Sequence, residues 1–387
     1  MRVNTDEMIA YGKARNGDGM VCAAAKHLFE KVGTLPANHW GRLPSSADWR
    51  KGWDAGAEDR TADARSASDV LLDTSEGLLR AMANYTNTDI AASVSLEKLD
   101  PGIKPYLRSD IRDDMAYDAG RYGGDGGGGF DPRYRAGDDP DSPLPVDSPP
   151  GNSLAADAQY RDEYAKFMAK YASLFRSIEE AIKESVGEVP EVYEPYLKPA
   201  IEARPDVIER YADEVDVGCD AYDYVFGRLR YEGEYLGGWW DGDGGRTFRI
   251  WAKIVEGYVT ECWKEARWLA TQGHAASGII KNVRSTFAKT IDTHLEKLKD
   301  AYSEYRYRYF WEGAKVVAGL AAWDATVLKG DNCAEALRAA YQEFRTDIRT
   351  ALDDADQGQP CKLGSEDRDR PKKPELRVDD WKHPHEW

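Results

Sequence analysis

The run from Ala57 to Tyr85 constrains this chain more than any other stretch. Ala57, Ala64, Leu71, Leu78 and Tyr85 follow one another at intervals of seven, and Ala67, Thr74 and Ala81 fill the second seam position. A heptad repeat marks a helix that keeps one face against a partner helix, and small seam residues let two backbones come close. Asp59, Asp63, Asp69, Asp73 and Glu76 put charge largely off that seam. The repeat predicts a helix from about Ala57 to Ser95.

Upstream, Val21, Ala25, Leu28 and Val32 recur at helical spacing and predict a first helix. Asn16-Gly-Asp-Gly19 is a strong turn signal within it, so that helix is expected to kink there or to begin only afterwards. Residues 33–52 carry two tryptophans, Trp40 and Trp49, with Trp53 directly following. Tryptophan brings too much apolar surface to be left in water, so this is an ordered loop rather than a linker. It closes at Trp53-Asp-Ala-Gly56, read as a turn. The seam is longer than a kinked first helix can cover. Its remainder is therefore expected to dock a helix from a second copy or from a small partner.

Residues 101–154 differ in kind. Gly123 to Gly129 reads GGDGGGG, and aspartates and prolines follow up to Pro150, which predicts a flexible linker. Helical periodicity returns over 155–355. Its stripes include Tyr171, Leu174, Ile178 and Ile182; Trp251, Ile254, Val255, Tyr258 and Cys262; and Leu337, Tyr341, Phe344 and Ile348. No segment alternates with period two. The fold class is therefore all-α: an N-terminal helical hairpin over 1–100, the linker over 101–154 and a larger aromatic-rich helical bundle over 155–355. Residues 356–387 are polar and proline-bearing, and are expected to be a disordered tail.

Composition narrows the function. The chain has 69 acidic against 52 basic residues and a net charge of −17. Without a clustered basic surface such a chain is a poor ligand for nucleic acid or an anionic membrane. The nearest basic run, Arg368 to Lys373, is interleaved with Asp and Pro. No apolar stretch approaches the roughly 20 residues of a transmembrane span, and the first residues show no apolar core of a cleavable signal peptide. Cys22, Cys219, Cys262, Cys333 and Cys361 are spread widely, without metal-binding or disulfide-framework spacing. They suit folding in a reducing cytoplasm.

Three Tyr-x-x-x-Asp pairs occur, Tyr85/Asp89, Tyr106/Asp110 and Tyr134/Asp138. Only the first closes a long helical seam, where i,i+4 spacing puts a phenol and a carboxylate on one face for a partner to read. Leu78, Ala81 or Met82, Tyr85, Thr88, Asp89, Ala91 and Ala92 together resemble the end of the second helix in the WXG-motif superfamily of type VII (ESX) secretion substrates, in its EspC-like actinobacterial branch. The resemblance covers about residues 1–100. It implies a helical hairpin, exported folded from the cytoplasm without a cleavable signal, with Tyr85 and Asp89 as the bipartite part of the secretion signal and the type VII machinery as partner. The turn here reads Trp53-x-x-Gly56 where the family has Trp-x-Gly.

A second candidate turn lies at Trp240-x-Gly242, within Gly237-Gly-Trp-Trp-Asp-Gly242. It is either a second hairpin of the same kind or a glycine-rich turn around a buried tryptophan. Asp241-Gly-Asp243 lacks the acidic twelfth residue of a calcium loop, where Ala252 stands. His383-Pro-His385-Glu386 carries no assigned role. No GxSxG, Walker A, HExxH or dinucleotide fingerprint occurs, and the only conceivable acid–base set is His274, His294, Glu296 and Cys262. No cofactor, metal or catalytic residue is expected. The chain is expected to be a non-enzymatic secretion substrate or secretion-associated protein with a helical cargo or interaction module. The alternatives are a secreted effector or toxin active through 155–355, and a cytoplasmic helical scaffold or chaperone.

Overall fold

The computed structural model describes residues 5–85, 163–237, 240, 242–317, 323–357, 361–365 and 368–376. The described residues form seven α-helices and no β-strand. They are α1 (Thr5–Val32), α2 (Ser46–Tyr85), α3 (Glu163–Val186), α4 (Lys198–Glu202), α5 (Pro205–Gly237), α6 (Asp243–Val317) and α7 (Trp323–Gln357). A 3-10 turn at Ala37–Trp40 precedes α2, and a π turn at Tyr193–Leu197 precedes α4. The linker predicted over 101–154 lies outside the described residues.

The spine is α6, whose 75 residues would span about 110 Å at 1.5 Å per residue. Its first half packs against α5 and α2, and α1 closes the group by packing on both α2 and α5. Its second half meets α7 and α3; Phe175 of α3 stacks on Phe344 of α7 at 5.4 Å, and Tyr305 of α6 reaches the carbonyl of Ala181 in α3. Buried apolar residues of all these helices belong to one continuous core. The described helices on either side of 101–154 therefore share one core: the N-terminal hairpin is half of a four-helix group completed by α5 and the start of α6.

Three sequence expectations need correction. First, α1 runs unbroken through Asn16–Gly19. A Cβ on Gly19 would stand 3.0 Å from Leu72 Cγ, and Asp18 is fully buried between charged partners. These turn-forming residues serve close helix packing and a buried ion network instead, and tertiary contacts override their local preference.

Second, Trp53 and Gly56 do not form a turn. They lie inside α2, which starts at Ser46. A Cβ on Gly56 would come within 2.8 Å of Leu269 Cδ1, so the glycine admits α6. Trp53 is fully buried, and its indole N–H donates at 3.0 Å to the carbonyl of Val32, the last residue of α1. Terminal helix carbonyls lack a partner within the helix, and Trp53 supplies one.

Third, part of the tail expected to be disordered packs on the bundle. Residues 361–365 and 368–376 lie against α2 and α6, with Leu363 only 1 % exposed. Composition alone hid this, because charge rather than apolar pattern seats the segment.

The seam residues Ala57, Ala64, Leu71 and Leu78 are all buried within the chain. The helical neighbours expected from a second copy or small partner are supplied at these positions by α1 and α6 of the same molecule. No helix among the described residues is long and apolar enough to cross a membrane.

Candidate functional site

The hairpin end of the molecule is built around tryptophan. Trp40 and Trp53 pack with ring centroids 6.0 Å apart, and Ser46 Oγ donates at 2.7 Å to the Trp40 carbonyl. Trp53 also reaches across to α6, where a Cβ on Gly273 would meet its ring at 2.6 Å. From this anchor α2 runs on to Tyr85, its last described residue. Asp89, the second member of the Tyr/Asp pair, lies outside the described residues, as do Tyr106/Asp110 and Tyr134/Asp138.

At the second candidate turn, Trp240 is fully buried and stacks on Phe248 at 5.4 Å, which meets Tyr11 of α1 edge-on. Gly242 takes φ 98°, a conformation suited to glycine, and α6 begins at the next residue. The connection joins α5 and α6, which pack antiparallel: Gly233 faces Ala252 and Asp216 meets His274. Trp240 and Gly242 thus mark a turn between paired helices, whereas Trp53 and Gly56 do not.

Between α1 and α5 lies a charged cluster that sequence reading missed. Arg15 pairs with Asp18 at 2.8 Å and with Glu232. Arg228 pairs with Asp18 at 3.1 Å and Glu232 at 3.0 Å, closing a ring of two cations and two anions. Arg15 and Asp18 are completely buried. Burial alone would lower the Arg15 pKa, but Asp18 and Glu232 overcome it and hold the guanidinium above its ordinary value. Burial also pushes the Tyr11 phenol up to about 12, although Arg15 acts against the rise. The signal available in sequence was Arg15 and Asp18 one helical turn apart, with Tyr11 a turn earlier.

A second charged array joins α2, α6 and the tail. Asp63, also fully buried, accepts from Arg60 at 2.8 Å and from Arg370 at 3.0 Å. Burial raises the Asp63 pKa, and Arg60 and Arg370 counter it. Arg368 forks onto Glu265 at 2.7 and 2.8 Å, with its guanidinium 4.8 Å over Trp268.

The conceivable acid–base set is not assembled. His274 bonds Asp216 of α5 at 3.0 Å, while His294 bonds Asp347 of α7 at 2.7 Å, a different interface. Cys262 is fully buried, and burial pushes its thiol up, away from nucleophilic thiolate. Glu296 sits on the exposed side of α6. Ligand atoms of Asp213, Asp216 and His274 lie within 4.8 Å of one another, but Arg267 already pairs with Asp216 at 2.5 Å. A metal ion would have to displace that cation. Asp243, from the calcium-like sequence, opens α6 and pairs with Arg246 at 2.7 Å. The residues His383 to Glu386 lie outside the described residues. None of the five cysteines is joined in a disulfide.

No protein-family model matches the chain, and no curated protein or solved structure matches it.

Proposed function

We propose that this chain is a non-enzymatic substrate of a type VII secretion machine, or a protein that accompanies one. It folds in the cytoplasm before export, and its helical C-terminal part is the cargo or interaction module. The course of α2 carries the proposal. Its 40 described residues of helix, paired with α1 and anchored by Trp53, reach Tyr85, the first member of the Tyr/Asp signal pair. The engagement of His274 and His294 in two separate interhelical contacts agrees with a structural use of these residues.

Export from an ESX-bearing actinobacterial host tests this. Asp89→Asn keeps side-chain size while removing the charge, so the melting temperature should hold while the amount in culture supernatant falls sharply. Asp110→Asn, in a rival pair, should leave export unchanged. Normal export of the Asp89 variant, or no wild-type protein in the supernatant, would overturn the secretion proposal.

A further inference from the structure

Residues 361–365 and 368–376 lie without regular secondary structure in the groove between α2 and α6, running in the direction of α2. At its start the fit is backbone on backbone. A Cβ on Gly52 would stand 2.1 Å from Gly364 N, and one on Gly364, at φ 77°, would stand 2.4 Å from the Asp48 carbonyl oxygen. The Lys362 amide donates to Gln272 Oε1 at 2.6 Å. Beyond this point three cations meet three carboxylates in order: Arg368 with Glu265, Arg370 with Asp63, and Lys373 with Asp69 at 3.2 Å.

Two properties set this contact apart from the bundle. It is held chiefly by charged pairs whose cations are partly exposed. The side chains of Arg368, Arg370 and Lys373 are 36, 43 and 42 % exposed, and Leu363 is the one fully buried apolar anchor among the segment's described residues. Lys373–Asp69 is exposed at both ends and is screened by salt. Asp63 and Glu265 are buried beneath the segment, but Arg60 stands 2.8 and 3.7 Å from them, so both keep a cation when the segment opens and the helices beneath stay folded. Its far end also borders a cavity. There Glu375 lines a cavity of about 630 Å³ together with Asp73 and Glu76. The cations beside them are already engaged, Arg80 with Glu76 and Lys373 with Asp69. Arg80 and Lys373 line this cavity too, so Glu375 adds a third carboxylate beside two cations.

We propose that the α2–α6 groove is a docking site for an extended basic protein segment of the form Arg-x-Arg-x-x-Lys. The chain's own C-terminal segment fills it in cis. A partner protein presenting such a segment, with a further cation where Glu375 stands, takes the groove by displacing it. This mode joins backbone contact in a glycine-lined seat with charge-assisted bonds spaced along a helix. It does not depend on the export proposal.

Two fluorescent peptides, one copying residues 361–376 and one carrying Glu375→Lys in that copy, can be titrated against the full-length chain. Arg368→Ala/Arg370→Ala should loosen the resident segment. The variant should bind the native peptide at least about tenfold more tightly than the wild-type chain does, and the Glu375→Lys peptide more tightly again. Adding Asp63→Asn and Glu265→Gln should abolish that binding. No gain in the Arg variant, or binding indifferent to Asp63 and Glu265, would overturn the proposal. Hydrogen exchange on the unaltered chain gives a second readout that no variant's misfolding can affect. Raising NaCl from about 50 to about 500 mM should speed exchange at 361–376 while α6 amides near Glu265 stay protected. If the segment exchanges only together with α6, the groove is a permanent part of the core and the idea fails.

Discussion

The ring of Arg15, Asp18, Arg228 and Glu232 has the strongest consequences of any small group of residues here. Removing one member strands a buried charge, which typically costs about 3–5 kcal/mol, whereas replacing a pair with apolar side chains can be nearly neutral. Arg15→Met and Glu232→Leu should each lower the stability measured by urea unfolding by an amount in that range, and the double variant should lose clearly less than the sum. An additive cycle would mean the pair is not coupled. A smaller, pH-dependent effect is expected at His274. Its hydrogen bond to Asp216 raises its pKa above the ordinary 6.5, with burial acting the other way. The folded chain therefore holds the imidazole proton more tightly than the unfolded chain does. The resulting stability is complete below about pH 6.5 and is lost as pH rises through the higher folded value. His274 is about one-third exposed, so screening keeps the gain below about 1 kcal/mol. Melts at about pH 5.5 and about pH 8.5 should show His274→Gln less stable than wild type at the lower pH and equal to it at the higher. A gap that widens at high pH would contradict the assignment.

Among the elements, glycine within helices divides into two kinds. A Cβ on Gly218 of α5 would stand 2.5 Å from the Phe29 ring of α1, while around Gly278 of α6 there is nothing within 4 Å. Gly278→Ala should therefore raise stability by up to about 1 kcal/mol through helix propensity alone. Gly218→Ala should lower it by about 1–3 kcal/mol through overpacking against a rigid ring. Calorimetric melts check both signs at once. The same contrast explains what was legible in sequence. Periodicity found helices wherever apolar residues recur, because burial of one face dictates spacing whatever the partner. It misjudged Asn16–Gly19 and Trp53–Gly56, because glycine and aspartate are also what a helix needs where another backbone or a buried guanidinium comes close. At Trp240–Gly242 the same residue types do make a turn, and there the positive φ of Gly242 is the physical difference.

For the whole molecule, the heptad seam shows helix pairing but not whose helix fills it. The seam could dock a second copy, a small partner or the rest of the same chain, and only tertiary structure decides between them. The tail was illegible for a related reason: Arg368, Arg370 and Lys373 read as solvated charge until Asp59, Asp63 and Asp69 of α2 and Glu265 of α6 are seen as facing carboxylates. Because α1 and α2 share one core with α5 and α6, disturbing the seam should propagate. Leu71 is completely buried, and an unpaired carboxylate there carries a large desolvation cost. Leu71→Asp should therefore not simply release a partner from an intact C-terminal domain. It should loosen α5 and the first half of α6 together with the hairpin, because the charge cannot reach water without separating α2 from its neighbours. Hydrogen exchange should rise in α1, α2, α5 and the start of α6, while α7 and the second half of α6, joined through His294 and Asp347, change least. By the same reasoning residues 1–100 expressed alone should lack a cooperative melt, since Trp53 and Gly56 would lose the α6 surface they pack on. A stable isolated hairpin, or a Leu71→Asp chain whose α5 and α6 amides stay protected, would show instead that the two parts fold independently.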